Sequence, residues 1–200
     1  MVLPNTFSGF YFYGSSIYGT NTEGSDVDMV TINCHYYVSE GVDQTNYTLD
    51  EFQAALDSYL PTAWEGYSLQ FHGERYEDKY SFTHIIKIDV DKEKLRDSFS
   101  RVASNSFVKA KKKLLVQDTY NRSASMKSLF HSIRILDFGT QIANHGYVVD
   151  FESCNHIWDM IVNDYKLNDT EVLKLIVDKY QPLRNSYASA FRQVAPKVIA

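Results

Sequence analysis

Asp26 and Asp28 open the run Asp26-Val27-Asp28-Met29-Val30-Thr31-Ile32, and a Gly14-Ser15-Ser16 turn precedes them in the chain. Side chains alternate between the faces of a strand, so Asp26, Asp28 and Val30 share a face and two carboxylates stand side by side. Like charges that close destabilise a fold unless a cation neutralises them, and an all-oxygen donor set suits Mg²⁺ or Mn²⁺. Gly14 lets the backbone approach a phosphate closely, and Ser15 and Ser16 offer hydroxyls and N–H groups to it. These residue types at this spacing point to metal-dependent phosphate chemistry. Gly14 and Gly19 enclose four residues, the spacing of a P-loop, but Thr20 stands where that loop needs its lysine.

The elements that must position these groups follow from the flanking sequence. Phe10-Tyr11-Phe12-Tyr13 is aromatic enough to be a buried strand that Gly14 ends, and the aspartates open a second strand. A polar hairpin with a solvated Thr-Asn-Thr-Glu-Gly-Ser loop would account for most of these residue types. It would not account for paired aspartates at the head of an apolar strand.

The stretch from Gly14 to Asp28 resembles the signature of the DNA polymerase beta-like nucleotidyltransferase superfamily: Gly-Ser, a spacer ending in glycine, then Ser-Asp-x-Asp, here Ser25-Asp26-Val27-Asp28. The resemblance implies a fold in which the Gly-Ser turn holds a nucleoside triphosphate and the two aspartates hold two metal ions. It implies that Gly14 and Ser15 bind the β and γ phosphates, that Ser25 belongs to the nucleotide site, and that Asp26 and Asp28 bind Mg²⁺ or Mn²⁺. ATP is the foremost expected NTP. The superfamily takes a third metal-binding carboxylate from a strand beside the Asp-x-Asp strand. Residues 81–90 have the composition of such a strand, and Asp89 is the candidate. Asp91 lies on the same face, with the alternative role of capping the helix that starts at Lys92. No local motif decides between them.

The chain as a whole sets bounds on this expectation. Of its 200 residues 44% are hydrophobic and 14% aromatic, enough for one large domain or two small ones. A formal charge of −5 argues against a general nucleic-acid-coating role. Cys34 and Cys154 are too few and too far apart for a disulfide scaffold or a zinc ribbon, so buried free thiols in a reducing compartment are expected. The N-terminus has no basic region leading into an apolar stretch, and no run approaches membrane-spanning length. A soluble, cytoplasmic protein without a membrane partner is the expectation.

Composition shifts near the middle, which predicts α+β over residues 1–91 and an all-helical lobe over 92–200; the resemblance implies that the first part is a catalytic core with a small mixed sheet and flanking helices. Thr48-Leu49-Asp50-Glu51 has the capping-box pattern of a helix running to Leu60, with Phe52, Ala55, Leu56 and Tyr59 as its buried stripe. Residues 62–80 read as a hairpin or loop. In the lobe, a helix over about 92–103 leads through Ser104-Asn105-Ser106 into a segment with four lysines between 109 and 113. That segment is either a contact to triphosphate or acceptor RNA or a solvated face.

A longer helix over about 123–146 carries the apolar stripe Met126, Leu129, Phe130, Ile133 and Leu136. Lys127, His131 and Arg134 share another face. They resemble the Lys-x-x-x-His-x-x-Arg helix of some small bacterial and phage nucleotidyltransferases. That likeness implies that Lys127 and Arg134 grip the triphosphate; the bland alternative is a solvated stripe. Residues 155–200 predict two or three further helices, one opened by Asn168 with Glu171, and Pro182 as an interruption.

The expected function is transfer of a nucleoside monophosphate from an NTP to an acceptor hydroxyl, with release of pyrophosphate. The acceptor could be a small molecule, an RNA 3′ end or a protein hydroxyl. The alternative is a catalytically silent nucleotide-binding regulatory or partner-binding module.

Overall fold

A computed structural model describes residues 2–21, 26–34 and 41–197. The chain is α+β, with a mixed sheet and flanking helices followed by a helical C-terminal region. It divides into two compact units, Met1–Asp91 with His145–Glu152, and Lys92–Asn144 with Ser153–Ala200. Among the described residues no helix is long and apolar enough to cross a membrane.

The first unit is built on a sheet of strand order β3-β2-β1-β4, with β1 Gly9–Tyr13, β2 Val27–Ile32, β3 Val42–Tyr47 and β4 Tyr80–Phe82. β1 runs antiparallel to β2 and β4, whereas β2 and β3 are parallel. A four-residue helix, α1 Ser15–Tyr18, connects β1 toward β2. Tyr11, Val30 and Ile32 share one face and are fully buried. α2 Leu49–Asp57 begins with the anticipated capping box: Glu51 N–H donates to Thr48 Oγ1 at 3.2 Å and Thr48 N–H to Glu51 Oε2 at 2.8 Å. Phe52, Ala55 and Leu56 of the expected stripe are buried on it, and Tyr59, also buried, lies two residues past its end at φ 56.

Two local expectations fail in this unit. Residues 62–80, expected as a hairpin or loop, are mostly helical: α3 Pro61–Leu69 and a 3₁₀ segment Gly73–Lys79 lead into β4. Pro61 lies in the first turn of α3, where its fixed φ suits a helix start and its missing N–H leaves no bond unmade. Gly66 sits inside α3, where the Tyr11 ring fills the space a side chain would take. The strand expected over 81–90 pairs only as far as Phe82. Beyond it, Gln70, Tyr67 and Tyr59 side chains accept the N–H groups of Ile86, Ile88 and Asp91 at 2.6, 2.8 and 2.6 Å. Those bonds do for the backbone what a ladder partner would.

Residues 145–152 return to this unit after a long excursion. Val148 N–H donates to Ser68 Oγ at 2.9 Å, and His72 Nε2 donates to the Val148 carbonyl at 2.6 Å. Arg75 pairs with Glu152 at 3.3 Å, and the Phe71 and Tyr147 rings lie 4.7 Å apart.

The second unit contains α4 Lys92–Leu115, α5 Arg122–His145, α6 Asn155–Asp164, α7 Asp169–Leu175 and α8 Gln181–Val194. α4 is continuous through Ser104-Asn105-Ser106, because the buried positions Ala103, Phe107 and Ala110 carry one stripe across them. In α5, Leu129, Phe130, Ile133 and Leu136 are buried and Met126 packs partly against the same core. Gly146, at φ 85, follows its last turn. α7 opens on the expected Asn168–Glu171 capping box. Pro182 does not break the chain's helical course: a π turn, Ile176–Tyr180, joins α7 to α8, and Pro182 falls in the first turn of α8. Cys154 is a buried free thiol; Cys34, in the first unit, is free and half-buried.

Two outcomes follow from this packing. Gly66→Ala brings a Cβ to 2.3 Å from the buried Tyr11 ring and is expected to cost about 1–3 kcal/mol in urea denaturation. His131 accepts from Arg134 Nη2 at 3.0 Å, and burial, with the charges of Arg134 and Lys109, pushes its pKa down to about 3. The unfolded histidine takes up a proton near pH 6.5. His131 therefore stabilises the fold above that pH and loses its contribution as pH falls toward 3. Thermal melts from pH 7.5 to 5 should show a shallower acid slope for His131→Gln than for the wild type.

Candidate functional site

The turn after β1 is held from several sides. Gly14 has φ 70 and ψ −148, a conformation essentially confined to glycine. A Cβ built there would lie 2.9 Å from Asp28 Oδ2, so the aspartate carboxylate rests directly against the turn. Ser16 Oγ donates to the Tyr13 carbonyl at 2.8 Å, and the N–H groups of Ile17 and Tyr18 reach the Gly14 carbonyl at 3.1 and 3.2 Å. Ile17 and Tyr18 are buried, and the Tyr18 hydroxyl donates to the buried Glu65 carboxylate on α3. Ser15, half-buried, stands at the start of α1 beside Gly14.

The sheet register supplies the acidic wall. Tyr13 pairs with Asp28 across β1 and β2, and Asp28 pairs with Asp43 across β2 and β3. Residues in register share a face, which puts Tyr13, Asp28 and Asp43 in one row. Burial raises the Tyr13 phenol pKa, and the charges of Asp28 and Asp43 raise it further against a lowering hydrogen bond from Thr45. The phenol therefore stays protonated at neutral pH. No local motif marks Asp43 in the sequence, because its place comes from a parallel register between separate segments.

The other sequence candidates are placed differently. Asp26 is exposed and lies just before β2 rather than within it. Ser25 lies outside the described residues. Asp89 is exposed in the extended segment after β4, where its charge acts on Tyr67. Asp91 directly precedes α4, its N–H held by the Tyr59 hydroxyl. Among the described residues no three His, Cys, Asp or Glu side chains gather as a group able to hold a metal.

In the second unit Lys127 is exposed on α5. Arg134 is only 6% exposed, with its guanidinium 5.3 Å from the Phe130 ring centroid and 5.6 Å from that of Phe138. This placement puts Arg134 in the packed interior of its unit.

No protein-family model, curated protein or solved structure matches this chain.

The contact between Gly14 and Asp28 predicts a coupled pair. Gly14→Ala forces a strained backbone toward the carboxylate and should cost about 1–3 kcal/mol. Asp28→Ala removes the obstacle, so the double variant should be less destabilised than the two single effects summed. A double-mutant cycle in urea reads the coupling; strict additivity would contradict the contact.

Proposed function

We propose that the first unit is a metal-dependent nucleotidyltransferase site that moves a nucleoside monophosphate from an NTP to an acceptor hydroxyl and releases pyrophosphate. The observation that carries this reading is the packing of the Asp28 carboxylate against Gly14. It brings the Gly-Ser turn and the acidic strand, apart in sequence, into one site, as the resemblance to the polymerase beta-like superfamily requires.

The residues present fit a hard divalent cation. Asp28 and Asp43 are register neighbours with oxygen donors, and Asp26 stands at the entrance to the same strand. Mg²⁺ is commonly held by one or two carboxylates together with substrate phosphates, so a full protein cage is not needed. When bound, Mg²⁺ or Mn²⁺ would neutralise charge on the phosphates and lower the pKa of the acceptor hydroxyl. In this reading Asp43, rather than Asp89, partners Asp28, while Gly14 and Ser15 receive the phosphates. The acceptor oxygen forms a bond to the α-phosphorus as the bond to the β-phosphate oxygen breaks; pyrophosphate leaves, and the acceptor's proton passes to base or solvent. Positioning and charge neutralisation supply the acceleration, and no protein nucleophile is required. ATP remains the foremost donor, and a small molecule, an RNA 3′ end or a protein hydroxyl the acceptor classes.

A second reading, a nucleotide-binding module without turnover, is favoured by the lack of a three-carboxylate group among the described residues. One experiment separates the two. The protein is incubated with Mg²⁺ or Mn²⁺ and each α-phosphate-labelled NTP, with bulk RNA, small-molecule extract and protein as acceptors. Transfer of label by the wild type and its loss by at least about a hundredfold in Asp28→Asn and Asp43→Asn are expected. NTP-dependent thermal stabilisation without transfer supports the silent module, and neither effect sinks both readings.

A further inference from the structure

Lys79 ends the 3₁₀ segment immediately before β4, far in sequence from the Gly-Ser turn, yet its ammonium donates to the backbone carbonyl of Ser16 in α1. Its Nζ lies 5.8 Å from the Tyr76 ring centroid and the residue is half-buried, so the stem runs along the unit and holds the charge at the turn. Among the described residues no carboxylate pairs with Lys79. Arg75, the other basic residue of the same segment, is engaged elsewhere, by Asp150 at 3.8 Å and Glu152 at 3.3 Å.

An ammonium has three donors, and the Ser16 carbonyl uses one. The rest can meet an anion without disturbing that anchor. The Asp28 carboxylate lies against Gly14 at the start of the same turn, with Asp43 its register neighbour. Those charges attract a divalent cation but repel the unshielded end of a polyphosphate, which therefore needs a positive partner of its own. Lys79 is the described cation that contacts the turn itself.

We propose that Lys79 binds the terminal phosphates of the NTP, so that the first unit supplies its own phosphate cation. This inference rests on the reading of the turn as an NTP site and assigns the charge there to a residue outside the Gly-Ser and Asp-x-Asp signature. It also leaves Lys127 without a necessary part in phosphate binding.

Calorimetric titration tests the assignment, with Mg²⁺-tripolyphosphate, the Mg²⁺ complexes of α,β-methylene NTPs and the matching nucleoside monophosphates as probes. Lys79→Met should weaken tripolyphosphate and triphosphate binding by at least about tenfold, the size expected for a lost charge-assisted bond. Monophosphate binding should change by less than about twofold, because it lacks the phosphates assigned to Lys79. Lys79→Arg should recover most of the affinity, and Lys127→Met should match the wild type. Equal loss for all probes in Lys79→Met, without rescue by arginine, would mean that Lys79 only props up α1, and would overturn the proposal. Unchanged tripolyphosphate binding in Lys79→Met would overturn it while leaving the NTP site standing. A wild type that binds none of the probes would remove the NTP site and this assignment with it.

Discussion

The geometry of the first unit depends on a single backbone conformation at Gly14. With φ near 70 and ψ near −148, the chain leaves β1 and turns into α1 instead of continuing along the sheet. An L side chain there would pay both for the backbone conformation and for displacing the Asp28 carboxylate. Everything that narrows the turn follows from that choice: the Ser16 bond to Tyr13, the burial of Ile17 and Tyr18, and the tie from Tyr18 to Glu65 on α3. The short helix is too small to be stable by itself, and its packing fixes it.

The acidic row is the electrostatic counterpart of that turn. Carboxylates on adjacent strands, about 4.8 Å apart along the hydrogen-bonding direction, repel by on the order of 3 kcal/mol at the effective dielectric of a protein surface. The fold places Asp28 and Asp43 in register despite this cost, and sets Tyr13, which stays neutral, at the end of the row rather than a third charge. A like-charge pair kept at the rim of a buried apolar face is the arrangement expected where a cation or a proton is to be bound.

How much of this was legible in the sequence depended on how local each determinant is. The β1 turn, the aspartate strand, both capping boxes and the apolar stripes of α2 and α5 were readable, since each is set by neighbours within a few residues. Asp43 was not, because its place comes from pairing between segments whose register no short pattern encodes. The strand expected around Asp89 stops short for a related reason. The run around it alternates like a strand, but side chains of Gln70 and Tyr67 occupy the backbone groups a neighbouring strand would have used. Arg134 shows the limit of helical spacing: the same interval places a guanidinium toward water or between two phenyl rings, and only the packing of α5 decides.

The return of residues 145–152 makes the first unit discontinuous, and this has a consequence for the order in which the protein can be made. A chain emerging from the ribosome has completed all four described strands by Phe82, yet the groups that Ser68 and His72 bond, on Val148, do not exist until α4 and α5 have been synthesised. The bonds of Ser68 and His72 to Val148 therefore form only after that helical stretch has been made. The pair α4 and α5 is in this sense an insertion within the first unit, and a cut after Asp91 also removes residues 145–152 from it.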